Sequence, residues 1–197
     1  LIKNAKRPLI IAGAGVLKSG AMDELKELAE KAQIPVTNTL VGLGGFPGNH
    51  ELALGMVGMH GSVAANNSTE EADLVIAAGI RFHDRITGHP DFFCKKAKII
   101  HIDIDPAEID KNVTINVPIV GDLKRVLSEL NTLVEPTTHE AWIAQIREWQ
   151  AEYPMVIPES KDGVLHPQYV LSELNKIAKD DAIIVTDVGQ HQMWAAQ

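Results

Sequence analysis

Two arginines stand close together in the stretch "GIRFHDRITG" (79–88), directly after an apolar run. A guanidinium can donate two parallel hydrogen bonds to phosphate oxygens, so Arg81 and Arg85 are candidates for holding a diphosphate. The same stretch carries Asp84, which could instead pair with either arginine on the surface. The residues alone leave both interpretations open.

The stretch "GAGVLKSG" (13–20) has a glycine pair but not the spacing of G-x-G-x-x-G, and no G-K-[ST] follows it. Gly13 and Gly15 could let the main chain approach a ligand where a side chain would collide. A tight turn between a strand and a helix explains them equally well. This motif is therefore weak by itself.

In "GMVGMHGSVAAN" (55–66), two glycines flank Met59 and His60, and Gly61 comes just before a predicted helix. The first N–H groups of a helix are free and can face a ligand. For His60 by itself, a structural or stacking role is the more typical interpretation than that of a catalytic base.

In "HIDID" (101–105), His101, Asp103 and Asp105 lie on one face of a predicted strand, because strand side chains alternate. A metal site is conceivable, with His83, Asp84 and His89 nearby in sequence. An aspartate at the carboxyl end of a parallel strand is more typical of hydrogen bonding to a ribose or adenine. We therefore predict no metal site, and Asn66–Asn67 reads as helix surface.

Composition limits the classes of partner. The net charge is -8, from 18 basic and 26 acidic residues, which argues against a nucleic-acid partner. The single cysteine, Cys94, excludes an internal disulfide and fits a reducing, cytoplasmic compartment. No uncharged stretch is long enough for a membrane span. The absence of an initial Met suggests a piece of a longer protein.

The elements that must position these residues alternate between strands and helices. Apolar runs predict strands at 7–15, 35–40, 73–79, 97–105 and 115–122, and amphipathic helices are predicted at 20–33, 62–72 and 123–133. This alternation predicts an α/β fold, a Rossmann-like parallel sheet with helices on both faces. Such sheets bind ligands beyond the carboxyl ends of their strands.

We predict a domain over residues 1–134, a linker over 135–165 and the incomplete start of a second α/β domain over 166–197. The linker holds one helix, with a capping box of Thr137 and Glu140. The last segment begins with a helix (167–180) whose Val170, Leu171, Leu174 and Ile177 should face a core. A buried strand, a glycine turn and a helix start follow in "AIIVTDVGQHQMWAAQ" (182–197).

Taken together, five stretches resemble the catalytic subunit of acetolactate synthase (acetohydroxyacid synthase), a family of thiamine-diphosphate enzymes. They are "TNTLVGLGGFP", "LGMVGMHGSVAAN", "DLVIAAGIRFHDRITG", "KIIHIDIDPAEIDKN" and "VTDVGQHQMWAAQ". Subunits of this family carry three α/β domains. The resemblance implies that this chain holds the middle, FAD-binding domain and the beginning of the thiamine-diphosphate domain.

The resemblance also implies which residues bind FAD. They are Gly13, Ala14, Gly15, Thr39, Leu40, Met59, His60, Gly61, Gly79, Ile80, Arg81, Phe82, His83, Arg85, Asp103, Ile104 and Asp122. The family usually has two acids in the stretch "RFDDR". In this chain His83 replaces the first of them. We expect that position to contact FAD through its backbone, so that FAD binding survives the change.

The same resemblance places Met59, Asp84 and Arg85 along the substrate channel. It places Gly189, Gln190 and His191 at the diphosphate of thiamine diphosphate, in a cleft that two subunits share. The Mg²⁺ motif of the family, G-D-G followed by N-N, is not found in this chain, and neither is the domain with the Glu that activates thiamine. No catalytic residue is therefore assigned.

The implied reaction condenses two pyruvates, or pyruvate and 2-ketobutyrate, with loss of CO₂. It forms 2-acetolactate or 2-aceto-2-hydroxybutyrate in branched-chain amino acid biosynthesis. The resemblance also implies that FAD has a structural role and that the complete enzyme is a homodimer or homotetramer of catalytic subunits with a regulatory subunit. We expect the chain alone to be inactive. The alternatives are the middle domain of pyruvate oxidase, glyoxylate carboligase or oxalyl-CoA decarboxylase, and a stand-alone nucleotide-binding module.

Overall fold

A computed structural model describes residues 1–158, 163–179 and 182–197. The chain divides into two compact units, Leu1–Tyr153 and Pro154–Gln197. The first unit contains a six-stranded sheet in the order β3-β2-β1-β4-β5-β6, and every neighbouring pair is parallel. The strands are β1 (Pro8–Ala12), β2 (Val36–Asn38), β3 (Ala53–Met56), β4 (Leu74–Ala78), β5 (Lys98–Asp103) and β6 (Val117–Val120).

The strand order is that of a doubly wound sheet, with the reversal between β1 and β4. Six helices accompany the sheet: α1 (Ala14–Ser19), α2 (Met22–Ala32), α3 (Val63–Glu71), α4 (Asp84–Thr87), α5 (Leu123–Leu133) and α6 (Glu140–Glu152). Short 3₁₀ turns occur at Ile2–Asn4, Leu40–Gly42, Pro90–Phe92 and Pro106–Glu108. The predicted α/β class, with a parallel sheet flanked by helices, is confirmed.

The core has two parts because successive strand residues face opposite sides of the sheet. On one side, Ile10 and Ile76 are fully buried together with Leu25 of α2 and Leu127 of α5. On the other side, the neighbouring residues of the same strands pack with α3 and α6, whose buried residues include Ala65, Trp142 and Ile146. Strands covered on both faces are read in the sequence as continuous apolar runs, which is why they were predictable.

The sequence analysis missed β3 and placed the cap of α6 wrongly. Strand β3 is short and contains Gly55, so it lacks the apolar run that marks a buried strand. The predicted capping box does not form, because α6 begins after His139 rather than Thr137. The Thr137 hydroxyl donates to the Ala32 carbonyl instead, at 3.0 Å, and so ties the chain to the end of α2.

Helix α6 lies in the predicted linker but packs on the sheet of the first unit. Its Trp142 is 3% exposed, and the indole Nε1–H donates to the Pro8 carbonyl at 3.0 Å. Trp149 meets Trp142 edge to face at 5.8 Å. The compact unit accordingly continues to Tyr153.

The second unit contains helices α7 (Pro167–Ile177) and α8 (Gln190–Ala196). Helix α7 begins at a proline, as predicted, but no residue of it is buried, so the prediction that its apolar face meets a core is wrong for this chain. The buried strand predicted from 182 is also wrong, because the described residues there form no strand and Ile183 is 88% exposed. A strand exists only through hydrogen bonds to a neighbour, and no described residue supplies one.

Candidate functional site

The carboxyl ends of all six strands lie at one edge of the sheet, and we call the residues that follow them the rim. The rim comprises residues 13–15, 39–40, 57–61, 79–85, 103–105 and 121–122. Because neighbouring strands are spaced by ~4.8 Å, five spacings give the rim a length of about 24 Å. The loop tips predicted to form one site are therefore brought together along one edge.

Hydrogen bonds between neighbouring tips continue the sheet pairing into the rim. The Gly13 N–H donates to the Ala78 carbonyl at 2.9 Å, and the Gly79 N–H donates to the Ile102 carbonyl at 2.8 Å. The Thr39 N–H likewise donates to the Ala12 carbonyl at 2.9 Å. The rim is thus a rigid extension of the sheet at its centre.

The three glycines at the centre of the rim are required by the protein's own packing. A Cβ on Gly13 would lie 2.3 Å from the Gly79 carbonyl oxygen, and a Cβ on Gly15 would lie 2.5 Å from the Gly79 Cα. Gly79 itself has φ +60°. The strand-to-helix packing alone accounts for the glycine pair, so these residues do not by themselves indicate a ligand.

The two loops that carry Met59 and Arg85 are joined through their backbones. The Met59 N–H donates to the Arg85 carbonyl at 2.9 Å, and Gly58, with φ +105°, has no room for a side chain because a Cβ would lie 2.4 Å from that carbonyl oxygen. Asn66 of α3 holds Gly58 from the other side. Its side chain accepts from the Gly58 N–H at 2.9 Å and donates to the Gly58 carbonyl at 3.0 Å.

The arginines are not neutralised by the acid between them. Asp84 accepts from the backbone N–H of Arg85 and lies 3.9 Å from His83 Nδ1, so the surface ion pair considered above does not form. Arg81 and Arg85 are both exposed, and within the described ranges neither guanidinium has a carboxylate within 4.0 Å. Arg85 Nη1 instead lies 3.8 Å from the Met59 sulfur.

The three residues predicted for the substrate channel line one cavity. Met59, Asp84 and Arg85 surround it together with Phe92 and Phe93, and its volume is ≈ 380 Å³. Met59 is 61% exposed. A second cavity, of ≈ 540 Å³, lies at the opposite, amino-terminal edge of the sheet beside Arg7, Glu71 and Trp142, and it includes no predicted site residue.

The segment that presents Arg81 places its side chains alternately in the core and on the surface, and it turns tightly at Phe82, where the His83 N–H donates to the Arg81 carbonyl at 2.9 Å. Ile80 and Phe82 are buried, whereas Arg81 and His83 are exposed. The Phe82 ring packs edge to face on His101 at 5.0 Å. Of the predicted FAD contacts, Ile80 and Phe82 therefore offer the rim only their backbone groups.

The acidic residues of the rim bind backbone N–H groups of their own loops. Asp103 accepts from the Asp105 N–H at 2.9 Å, and Asp105 accepts from the Ala107 N–H at 2.9 Å. Asp122 caps α5 by accepting from the Arg125 N–H at 3.1 Å. Ile104 is 70% exposed between the first two. This part of the rim combines acceptors with an apolar surface.

Two buried polar atoms next to the tip of β2 have no hydrogen-bond partner among the described residues. They are Asn38 Oδ1 and Thr39 Oγ1, and each residue is 2% exposed. An unpartnered buried polar group costs roughly 1–3 kcal/mol, so a partner that is not part of this chain fits here. Arginines and a hydroxyl that lack partners among the described residues, together with an exposed apolar side chain on the same edge, fit an extended anionic molecule.

In the described part of the chain, His101 and the acids near it do not form a cluster that could hold a metal ion. Among residues 1–158, 163–179 and 182–197, no three or more His, Cys, Asp or Glu side chains converge in a way that could hold a metal ion. His101 Nε2 lies 2.9 Å from the Ile80 carbonyl, and because a carbonyl only accepts, this nitrogen is the donor. Asp103 lies farther from it, at 3.8 Å.

The predicted diphosphate-binding residues lie in the second unit. Helix α8 begins at Gln190 directly after Gly189, where the sequence predicted a turn and a helix start, and His191 lies in its first turn. This confirms the local structure. No helix in the described part of the chain is long and apolar enough to cross a membrane.

The sequence analysis did not identify the contacts by which Asn66 and Asn112 shape the rim, and it considered His101 only for a metal site. Asn66 was interpreted as helix surface, but helical side chains lean toward the N-terminus, which brings it to Gly58 ahead of α3. Asn112 donates from Nδ2 to the Phe82 carbonyl at 2.7 Å, across 30 residues. Only its three-dimensional placement reveals that contact.

Comparison with known proteins places residues 1–130 in the family model described as "Thiamine pyrophosphate enzyme, central domain". The whole chain is 48% identical to an acetolactate synthase of Mycobacterium bovis over 203 residues, which is 33% of that protein. It is 47% identical to the acetolactate synthase large subunit of Parasynechococcus marenigrum and 48% identical to a probable acetolactate synthase large subunit of Methanocaldococcus jannaschii. In each case all of this chain is covered, and it spans about a third of the relative's length.

Proposed function

Since this chain belongs to the thiamine pyrophosphate enzymes, as the match of residues 1–130 to their central domain shows, we propose that it is the middle part of an acetolactate synthase catalytic subunit. The observation that carries the proposal is the identity of 47–48% to such subunits across all of the chain. The whole protein would condense two pyruvates, or pyruvate with 2-ketobutyrate, and release CO₂. We further propose that residues 1–134 are the FAD-binding domain, that the linker 135–165 adds α6 to its compact unit, and that residues 166–197 begin the thiamine-diphosphate domain.

The rim is the site that we assign to FAD. The exposed Arg81 would donate to phosphate oxygens, and the Thr39 hydroxyl would gain a partner near the centre of the molecule. Ile104 and the carboxylates beside it suit the adenosine end. FAD has no net redox task in the reaction and would act as a structural element, so the residues of this chain bind and orient it.

The cavity beside Met59, Asp84 and Arg85 is the part of this chain that we assign to the passage of 2-keto acids. The free cation of Arg85 suits a carboxylate substrate. Gly189, Gln190 and His191 would meet the diphosphate of thiamine diphosphate, which supplies the carbanion chemistry when it is bound. Mg²⁺, further subunits and a regulatory subunit belong to the proposal for the full-length protein, as does a cytoplasmic location.

The test is an assay of the full-length protein with pyruvate, thiamine diphosphate and Mg²⁺. We expect 2-acetolactate, detected by its acid conversion to acetoin, and 2-aceto-2-hydroxybutyrate when 2-ketobutyrate is added. Acetyl phosphate formed with consumption of O₂ would point to a pyruvate oxidase instead. Condensation of glyoxylate without reaction of pyruvate would point to a glyoxylate carboligase, and either result would overturn the proposal.

For the chain of 197 residues alone, we expect no acetolactate under the same conditions, because neither the Mg²⁺ motif nor the activating Glu is found in its sequence. Flavin absorbance before and after addition of FAD would show whether the rim binds FAD without the rest of the protein. Detectable product from this chain alone would contradict the assignment of the chemistry to other parts of the protein.

A further inference from the structure

The segment 80–83 is held at two of its carbonyl groups, those of Ile80 and Phe82, by side chains from outside it. His101 Nε2 donates to the Ile80 carbonyl at 2.9 Å, and Asn112 Nδ2 donates to the Phe82 carbonyl at 2.7 Å. We propose that His101 and Asn112 are positioning residues for cofactor binding, a two-point clamp that fixes the backbone on both sides of Arg81. This inference rests on the proposed function, because it assumes that Arg81 binds an anionic cofactor.

The first half of the clamp is rigid because His101 is fully buried on β5. Its exposed fraction is 0%, and its ring packs edge to face on Phe82 at 5.0 Å. Phe82 packs in turn on Phe93 at 5.8 Å. His101 therefore fixes the segment twice, through the carbonyl of Ile80 and through the ring of Phe82.

A simple packing role does not explain the histidine. Its Nδ1 is buried and has no partner among the described residues, which costs free energy that an apolar side chain would not cost. What the ring provides in return is the Nε2–H group at the Ile80 carbonyl. The ring therefore fixes the position of the loop at a cost in stability.

The second half of the clamp comes from the loop between β5 and β6. Asn112 is exposed, so its side chain is not needed to fill the core. Its own loop is closed by Asp110, which has φ +56° and accepts from the Ile115 N–H at 2.7 Å. The loop therefore holds the Asn112 amide group in place without help from the segment that it binds.

The consequence is that Arg81 is presented from a fixed backbone although its own side chain is free. The carbonyls of Ile80 and Phe82 are bound and both side chains are buried, whereas Arg81 between them is exposed. An arginine held in this way loses less conformational entropy when it binds an anion. Loss of either half of the clamp, His101 or Asn112, should weaken cofactor binding without removing any contact to the cofactor.

The test measures FAD dissociation from the full-length enzyme for Asn112→Ala and His101→Leu. Since one hydrogen bond contributes about 0.5–1.5 kcal/mol, we expect each variant to raise the dissociation constant of FAD by about 2- to 10-fold. The activity of each variant should return to that of the wild type when FAD is in excess. His101→Gln, which keeps a donor, should bind FAD more tightly than His101→Leu.

The matched control is Asn116→Ala. Asn116 is also exposed and accepts from the Ile99 N–H at 2.7 Å, but at the amino-terminal end of β5, away from the rim. We expect a similar change in melting temperature for Asn112→Ala and Asn116→Ala, with a change in FAD affinity only for the first. Equal FAD affinity for these two variants would overturn the clamp while leaving the proposed function intact. A full-length enzyme that binds no flavin but forms 2-acetolactate would overturn the clamp and the assignment of the rim to FAD, and would leave the proposed reaction intact.

Discussion

At the scale of single residues, the rim combines side chains that are free to bind with glycines that cannot be replaced. Arg81 is exposed, has no carboxylate partner in the described ranges and follows directly after β4. Gly58 is enclosed by backbone on one side and by Asn66 on the other. These two kinds of residue lead to different experiments, one on binding and the other on stability.

Arg81→Ala should weaken FAD retention in the full-length enzyme by roughly 1–3 kcal/mol, because it removes a charge-assisted contact. The melting temperature of the FAD-free protein should stay unchanged, since the guanidinium makes no ion pair to lose among the described residues. The measurement is flavin absorbance after gel filtration. Arg147→Ala is the control, because Arg147 is exposed on α6 and lies 3.6 Å from Glu51, away from the rim. Equal flavin content in both variants would count against the assignment of Arg81.

Gly58→Ala should lower the free energy of unfolding by at least about 1–3 kcal/mol, from backbone strain at positive φ and from the collision with the Arg85 carbonyl. Gly44→Ala separates the two causes, since Gly44 has φ +88° but nothing within 4 Å of an added Cβ. Gly48→Ala should have neither effect. Urea unfolding of the three variants tests this order, and a Gly58 variant no less stable than the Gly44 variant would contradict it.

Cys94 should make stability fall at high pH. Burial, with a smaller contribution from the charge of Glu70, raises the pKa of the Cys94 thiol far above its ordinary value of 9.0. Above pH 9 the unfolded chain loses this proton while the folded chain keeps it, so the free energy of unfolding declines by up to ~1.4 kcal/mol per pH unit. Below pH 9 the thiol contributes no slope.

The measurement for Cys94 is urea unfolding between pH 8 and 10.5, compared with Cys94→Ala. Other groups titrate in this range in both proteins, so the difference between the two profiles isolates the thiol. We expect the variant to show the flatter profile. Parallel profiles would mean that the folded thiol ionises as readily as the unfolded one.

At the scale of elements, α6 is the part of the predicted linker that the first unit needs. Trp142→Ala should cost about 3–5 kcal/mol, as expected for a large side chain removed from a core. Trp142→Phe keeps most of the packing but leaves the Pro8 carbonyl without its donor, so it should cost less, roughly 1–3 kcal/mol. Trp149 is only half-buried, and Trp149→Ala is the comparison. A larger loss of unfolding free energy for Trp149→Ala than for Trp142→Ala in urea would be inconsistent with this packing.

The sequence predicted those elements whose pattern is set within their own residues. Leu25, Leu28 and Ala32 lie on one face of α2, and the apolar runs of β1, β4 and β5 are buried on both faces, so both patterns were readable. Elements that depend on distant partners were not predictable. Strand β3 is defined by its pairing with β2. The Thr137 hydroxyl donates to the Ala32 carbonyl and does not cap α6 as predicted.

In the candidate site, too, features set by local sequence were predictable and contacts between distant residues were not. That Gly13, Thr39, Arg81, Asp103 and Asp122 share one edge follows from a parallel sheet, and the sequence was sufficient to predict it. The contacts that arrange the edge, such as Asn66 with Gly58, cross between elements and leave no periodic signal. The interpretation of Gly13 and Gly15 changed for the same reason, because the obstacle is Gly79, 64 to 66 residues further along the chain.

At the scale of the whole molecule, the two units differ in how much they bury. The first unit has a core on each side of its sheet, whereas no described residue of the second unit is buried. A unit of about 150 residues buries roughly 70% of the surface of its unfolded chain, which suffices for independent folding. The described residues of the second unit form no such core.

Limited proteolysis should therefore reduce the chain of 197 residues to a resistant fragment that ends near Tyr153. Cleavage is expected first at sites such as Tyr169 and Lys176 in α7, which is exposed along its length. Mass spectrometry of the early products is the measurement. Early cleavage within α2 or α5, whose inward faces are buried, would contradict the division into two units.

Gly13, Gly15 and Gly79 constrain how this protein can change over generations. If any one of them is replaced by a larger residue, the new Cβ collides with backbone atoms. No substitution elsewhere can remove a backbone atom to make room. These three positions therefore cannot change one at a time without loss of the fold. We expect every functional descendant of this gene to keep all three glycines. The tips of two central strands would have to separate before the first replacement became tolerable.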